Sequence, residues 1–389
     1  MLIVARVFGS ISATALHAPR ALALDLDGTL LTTSGRVSDA TVDVLRSFVD
    51  AGGRAVIATG RGRLFTEEVA VELRSRGLRV DALVCCDGGV VLKDSELVLA
   101  DEDGEATAGI MEEADSGAAA RYELMWSNQP AGSEYPLREI LAAVPGAGVA
   151  AEVDGAGVVV GSQWYIDAIR HRRWAHCAAG RKLSKLPVHP ARAPSACHPL
   201  VCAVPGFRPP DLPHPLRNPH RSPSFAAKFM SGKTVDPDFA RTLELAVRVG
   251  WMRVVPPDVT PPMDAEMLCS RVAAVLSEAR CVDLEVQPSF SGASESLRAV
   301  GAVTVSRAAT DKSVGLAVVA RQLGLHANDF MAFGDAENDL SMFRWAGSSY
   351  CPANGSADAK AAATLCSSLS NDEDFIVQAL QEVGVGVAA

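Results

Sequence analysis

Two aspartates stand two residues apart in Asp25-Leu26-Asp27-Gly28-Thr29, directly after the apolar run that begins at Ala21. If the strand breaks into a loop after Asp25, both carboxylates reach the same crevice, and Gly28 permits that break. One such acid can act as a nucleophile while its neighbour shuttles protons. The alternative use of a strand-end Asp is as a helix cap.

Three further stretches offer complementary groups. Thr59-Gly60-Arg61 follows the apolar run Arg54 to Ala58. A hydroxyl and backbone N–H groups in a Gly turn suit a phosphate oxygen, although a plain turn has the same composition. Lys312 opens a helical pattern, where a cation is electrostatically misplaced unless it points at an anion or stays in solvent. Gly334-Asp335-Ala336-Glu337-Asn338-Asp339 joins a strand end to a helix start. Its carboxylates suit a hard cation such as Mg²⁺, which takes oxygen ligands, or serve with Asn338 as helix caps.

These groups need a scaffold that gathers strand ends. Residues 21–93 alternate apolar strands with amphipathic helices. Strands are expected at Ala21–Leu26, Arg54–Ala58 and Asp81–Cys86. A helix capped by Ser38 carries Val42, Leu45 and Val49 on one face, and a second runs from Leu64 to Arg76. The alternation resumes late in the chain. Helices are expected at Lys312–Leu323, Asp339–Trp345 and Asp372–Val383, with strands at Phe330–Phe333 and Ser348–Cys351. This pattern predicts an α/β fold with a doubly wound, Rossmann-like parallel sheet, whose ligand crevice lies beyond the carboxyl ends of the strands.

The middle of the chain reads as an inserted α+β cap over 94–299. Its patterns predict a hairpin of Val90–Leu92 with Leu97–Leu99, helices at Glu134–Val144, Phe239–Val249 and Met263–Ala279, and short strands at Val158–Val160 and Met252–Val255. Met267, Val272 and Val275 should face inward, and Cys281–Val286 and Val300–Ser306 are further strand candidates. Residues 171–224 hold eleven of the 22 prolines and six of the eight histidines, with one acid, Asp211. Such a segment cannot build long helices or central strands, and it is expected to be disordered. The expected division is therefore 1–20 as an extension, 21–93 and 300–389 as a core, and the cap between them.

Composition narrows the function. At 389 residues and 48% hydrophobic content, the chain can bury more than one core. A net charge of −10 disfavours a nucleic-acid binder. No apolar run approaches a membrane span, so no membrane partner is expected. Nine cysteines without a CxxC pair suggest reduced thiols. His176, Cys177, Cys197, His198 and Cys202 fit no paired-Cys zinc spacing. A cytoplasmic protein is expected, although residues 1–20, with two Arg and no acid, also have the composition of an organelle leader. Oligomeric state is not readable.

DLDGT, TGR, an isolated Lys and GDAENDLSMF, in this order, resemble the four motifs of the haloacid dehalogenase superfamily of phosphotransferases. The long insert between the second and third motifs resembles the Cof-type phosphatases of subclass IIB. The resemblance implies a Mg²⁺-dependent phosphatase for small, sugar-phosphate-like metabolites. Asp25 would be the nucleophile and Asp27 the acid and base. Thr59, Gly60, Lys312 and Asn338 would hold the phosphoryl group. Asp25, Asp335, Asp339 and the Asp27 carbonyl would form or orient the metal site. Two alternatives stay open: a phosphomutase of the same architecture, and an inactive protein that binds a phosphorylated metabolite. The sequence departs from the family at Asp87-Gly88, where Asn-Gly is common, and at Ser313, where Gly often follows the lysine.

Overall fold

The computed structural model describes residues 18–97, 122–154, 157–161, 235–257, 263–289 and 301–384. The chain opens with β1 (Ala21–Leu24), α1 (Asp39–Asp50), β2 (Arg54–Ala58), α2 (Arg63–Ser75), β3 (Ala82–Cys85), β4 (Val90–Asp94) and β5 (Tyr122–Ser127). It continues with α3 (Leu137–Ala143), β6 (Gly148–Val153), β7 (Gly157–Val160), α4 (Phe239–Leu245), β8 (Val249–Val255), α5 (Ala265–Glu278), β9 (Leu284–Pro288) and β10 (Val303–Arg307). The last stretch contains α6 (Lys312–Gln322), β11 (Phe330–Phe333), α7 (Leu340–Trp345), β12 (Ser348–Cys351), α8 (Ala357–Ala362), β13 (Leu365–Cys366) and α9 (Phe375–Glu382).

Eight strands form one sheet in the order β13-β12-β11-β1-β2-β3-β4-β5. Pairing is parallel from β13 to β3, and β4 and β5 add an antiparallel edge. Successive β1 side chains enter opposite apolar layers, because side chains alternate across a strand. Leu22 and Leu24 join Leu45 of α1, Leu73 of α2 and Leu380 of α9. Ala21 and Ala23 join Leu316 of α6, Met342 of α7 and Ala359 of α8. Helices thus cover both faces, as a doubly wound sheet requires. The chain leaves β1 toward β2 on one side and reaches β11 on the other. The carboxyl end of β1 therefore lies at the point where strand order reverses.

The second sheet is antiparallel, in the order β7-β6-β8-β10-β9. Its core joins Val149, Met252 and Val303 to Ile140 of α3, Leu243 of α4 and Leu268 of α5.

Several expectations shift. β5 belongs to the larger sheet and β10 to the smaller, so sheet membership does not follow boundaries at 94 and 300. The hairpin partner of β4 is not Leu97–Leu99. Leu97 lies in no strand, residues 98 and 99 fall outside the described residues, and β3 and β5 occupy both edges of β4. The helix expected to reach Val249 stops at Leu245, because Ala246 is extended and Val249 already pairs with Val153. Pro136 precedes α3, which delays the helix expected from Glu134. Met267 is exposed. The inward face of α5 is Leu268, Val272, Val275 and Leu276, one helical position further on. β9 begins at Leu284 rather than Cys281. The Pro- and His-rich segment 171–224, with its candidate zinc residues, lies outside the described residues, as do residues 1–17.

Candidate active site

The site begins where β1 stops. The Asp25 amide still donates to the Phe333 carbonyl at 3.0 Å, which pins it beside β11. The chain then turns back, with the Leu30 amide donating to the Asp25 carbonyl at 3.1 Å and the Leu31 amide to Leu26 at 2.8 Å. Gly28 adopts φ +77° in this turn. A Cβ on Gly28 would lie 2.3 Å from Asp335 Oδ2. Only glycine combines that backbone angle with so close an approach. Asn354 Nδ2 donates to the Gly28 carbonyl at 2.8 Å, and the Asp335 carbonyl accepts from the Ser356 amide at 2.8 Å. The loop after β12 therefore braces both aspartate turns.

Lys312 is fully buried between two of these acids. Its Nζ donates to Asp25 Oδ1 at 2.6 Å and to Asp339 Oδ1 at 2.6 Å. Asp311 caps α6, its Oδ1 accepting from the Ser313 and Val314 amides. The cap offsets the electrostatic cost of a lysine in the first turn, which the neighbouring carboxylates also favour. Asp339 Oδ2 accepts from the Asp335 and Ala336 amides at 2.9 Å each. Both Asp339 oxygens are thus engaged. Thr29 Oγ1 donates to Asp335 Oδ1 at 3.4 Å.

Carboxylate oxygens of Asp25, Asp335 and Asp339 lie within 4.8 Å of one another. Burial, together with the like charge of Asp339 and against the pull of Lys312, pushes Asp25 up to about 8. Burial and the like charges of Asp25 and Asp339 push Asp335 up to about 9. Burial alone would lower Lys312, but Asp25 and Asp339 more than reverse this and raise it. One ammonium does not balance three buried carboxylates. Both raised acids resist losing their protons without a further cation, their oxygen donors suit a hard divalent one, and Asp25 and Asp335 are the acids of this cluster with an oxygen not taken by hydrogen bonds.

Thr59 follows β2, the strand beside β1, and is buried. Its Oγ1 accepts from the Arg61 amide at 3.1 Å, which leaves the hydroxyl proton to donate elsewhere. Asp27 lies apart from the buried cluster, half exposed, with both oxygens on Arg61: Nε to Oδ2 at 2.7 Å and Nη2 to Oδ1 at 2.6 Å. Gly60 abuts the Asp87 carboxylate. Asn338 Nδ2 donates to Asp87 Oδ1 at 3.0 Å, so this amide orients Asp87 in addition to any role toward phosphate.

Cys86 and Asp87 adopt φ of 52° and 51°, an arrangement that costs a non-glycine residue on the order of 1–2 kcal/mol. Two backbone bonds hold the pair there, Cys86 N to the Arg61 carbonyl at 2.8 Å and Asp87 N to the Thr59 carbonyl at 3.1 Å. Sequence reasoning brought Asp25, Thr59, Lys312, Asp335 and Asp339 to one sheet edge. It assigned no role to Thr29, Arg61 or Asn354. Arg61 was within reach, as the third residue of a Gly turn facing an acid pair.

The family model of the haloacid dehalogenase-like hydrolases matches residues 22–114 and 295–380. A phosphoglycolate phosphatase of Methanospirillum hungatei is 36% identical over 75 residues, 19% of this chain and 32% of that protein. The chain thus spans about a third of the length of that curated relative. A haloacid dehalogenase-like hydrolase from Bacteroides thetaiotaomicron shares the fold with a TM-score of 0.59 at 19% identity, over 94% of this chain and 99% of that one. A subclass IIB sugar phosphatase does so with a TM-score of 0.57 at 17% identity, over 94% and 100%. With its four motifs in order around one strand-order reversal, the chain is similar to the haloacid dehalogenase-like hydrolases over the two segments that their family model matches.

Proposed function

We propose that the chain is a Mg²⁺-dependent phosphatase acting on phosphomonoesters of small metabolites through a phosphorylated Asp25. The observation that carries this reading is the buried group of Asp25, Lys312, Asp335 and Asp339 at the carboxyl end of β1. Asp25 Oδ1 rests on Lys312, which leaves Oδ2 to attack phosphorus. The bond from phosphorus to the ester oxygen breaks as the bond to Asp25 forms. Asp27 supplies the proton to the departing alkoxide and then takes one from the water that hydrolyses the acyl phosphate. Both oxygens of Asp27 lie on Arg61, so the acid must leave that fork, wholly or in part, to reach the ester. Lys312 and the Thr59 hydroxyl balance charge on the phosphoryl oxygens.

Asp25, Asp335 and the Asp27 carbonyl would hold the metal, with Asp339 orienting Lys312 and the Asp335 turn. The cation supplies charge neutralisation for the dianionic ester when bound.

Phosphatase names among the relatives and the sugar-phosphatase neighbour support this reading over a mutase or an inactive binder. So does the retention of both acids, since binding alone gives the second no work. Turnover of p-nitrophenyl phosphate with and without Mg²⁺ tests it. Release of nitrophenol that requires the cation is expected. No release in either condition would favour the binding protein.

A further inference from the structure

We infer that Cys351 and Cys366 form a disulfide under oxidising conditions, and that this bond loosens the turn that carries Asp335. The pairing stands apart from the phosphatase reading, whereas its effect on a cation rests on the metal site proposed there. β12 and β13 pair in parallel, with Cys351 directly opposite Cys366. Opposed residues point to the same face of a sheet, at a strand spacing of about 4.8 Å. Disulfides span Cα distances of about 4.4–6.8 Å, so this register can be bridged. The packing layers agree. Cys351 lies in the layer of Ala23 and Leu316, while Leu365 packs against the opposite layer, which turns Cys366 toward the layer of Cys351. β13 is two residues long and ends its sheet, so it can adjust toward β12.

Both thiols are free, with Cys351 buried and Cys366 exposed. Cys351 Sγ donates to the Pro352 carbonyl at 3.6 Å and Cys366 Sγ to the Lys360 carbonyl at 3.3 Å, both weak bonds. Burial, and then the neighbouring Cys366, push the Cys351 thiol up to about 12, so it stays protonated. Cys366 therefore meets an oxidant first. With hydrogen peroxide, its sulfur attacks one oxygen and the O–O bond breaks. A sulfenic acid forms on Cys366, and the other oxygen leaves as water. The Cys351 sulfur then displaces the sulfenic hydroxyl, which departs as water with the Cys351 proton. The two thiols lose two electrons and the peroxide gains them.

Cys351 is also the last residue of β12 before the loop that braces the candidate site. Its sulfur rests against Gly355, where a Cβ would lie 2.3 Å from Sγ. From that loop the Ser356 amide donates to the Asp335 carbonyl at 2.8 Å, and Asn354 Nδ2 donates to the Gly28 carbonyl at 2.8 Å. Drawing Cys351 Sγ toward β13 withdraws it from Gly355 and leaves a gap beneath the loop. Asp335 is a proposed metal ligand, and loss of the contacts that orient a ligand costs about 10–100-fold in metal affinity.

The test treats the full chain with hydrogen peroxide and digests it without reductant. Mass spectrometry should find a peptide pair linked through Cys351 and Cys366, which dithiothreitol separates. Cys366→Ser, at an exposed position, should abolish it. Thermal melts of the oxidised and reduced chain over a Mg²⁺ series give the second readout. Oxidation should raise the Mg²⁺ concentration for half-maximal stabilisation by about tenfold. Dithiothreitol should reverse that change, and Cys366→Ser should prevent it. The wild-type peptides decide the pairing even if the variant fails to fold. Absence of the linked pair, or a linked pair with an unchanged Mg²⁺ response, would overturn this inference and leave the phosphatase reading standing. A reduced chain that Mg²⁺ does not stabilise would overturn the proposed metal site, and the coupling to Asp335 with it.

Discussion

Arg61 grips Asp27 with two parallel hydrogen bonds, Nε to Oδ2 at 2.7 Å and Nη2 to Oδ1 at 2.6 Å. The guanidinium also lies 4.8 Å from the centre of the Phe65 ring. The turn that carries Arg61 is bonded in turn to Thr59 and Cys86. The second acid of the pair is thus aimed from the neighbouring strand end rather than by its own loop alone.

Arg61→Lys keeps the charge and loses the fork. If one arm of the fork stays on Asp27 and aims it once the other oxygen is released to the ester, kcat should fall about tenfold for an alkyl phosphate, whose leaving group needs a proton. It should fall much less for p-nitrophenyl phosphate, whose leaving group departs as an anion. Equal losses on both substrates would place Arg61 elsewhere in the mechanism.

Lys312 and Asp335 should affect metal-free stability in opposite directions. Lys312→Ala leaves Asp25 and Asp339 buried without their cation, at an expected cost of about 3 kcal/mol in urea unfolding. Asp335→Asn removes a buried like charge and should raise the metal-free Tm while weakening the stabilisation by Mg²⁺. A lower Tm in Asp335→Asn without metal would show that Asp335 serves the fold before it serves a cation.

The raised carboxyls also set a pH dependence. Folding moves Asp25 from 3.8 to about 8 and Asp335 from 3.8 to about 9. Between those limits the folded chain holds protons that the unfolded chain has lost. Stability of the metal-free protein should therefore fall as pH rises from about 4 to about 9. Lys312 is also raised, so its contribution is lost only above its ordinary value of 10.5. Because the ligands must lose protons, stabilisation by Mg²⁺ should grow over the same range. Thermal melts at pH 5 and pH 8.5, with EDTA or Mg²⁺, check both signs.

The core was legible because its strands are short apolar runs with acids and glycines at their ends. Asp25, Asp335 and Lys312 lie far apart in sequence, but each sits at an element end that a parallel sheet must gather at one edge. The smaller sheet was harder to read. β6 (Gly-Val-Ala-Ala-Glu-Val) is buried throughout, so it lacks the alternation that marks a half-exposed strand. No strand was expected at β5, and boundaries at 94 and 300 part β5 and β10 from the sheets they join, because membership depends on long-range pairing rather than local pattern. The Arg61–Asp27 fork and the Asp87–Asn338 bond are tertiary contacts with no local periodicity to announce them.

The central claim is that Asp25 itself carries the phosphoryl group during turnover. Rapid acid quenching during turnover with Mg²⁺, followed by mass spectrometry of the peptide containing Asp25, tests this directly. The account predicts an added phosphoryl mass on Asp25 that appears and decays within the turnover, and none in Asp25→Asn, whose turnover should fall by orders of magnitude. Steady turnover with no modified Asp25 peptide, or an Asp25→Asn variant keeping more than about a tenth of the rate, would contradict it.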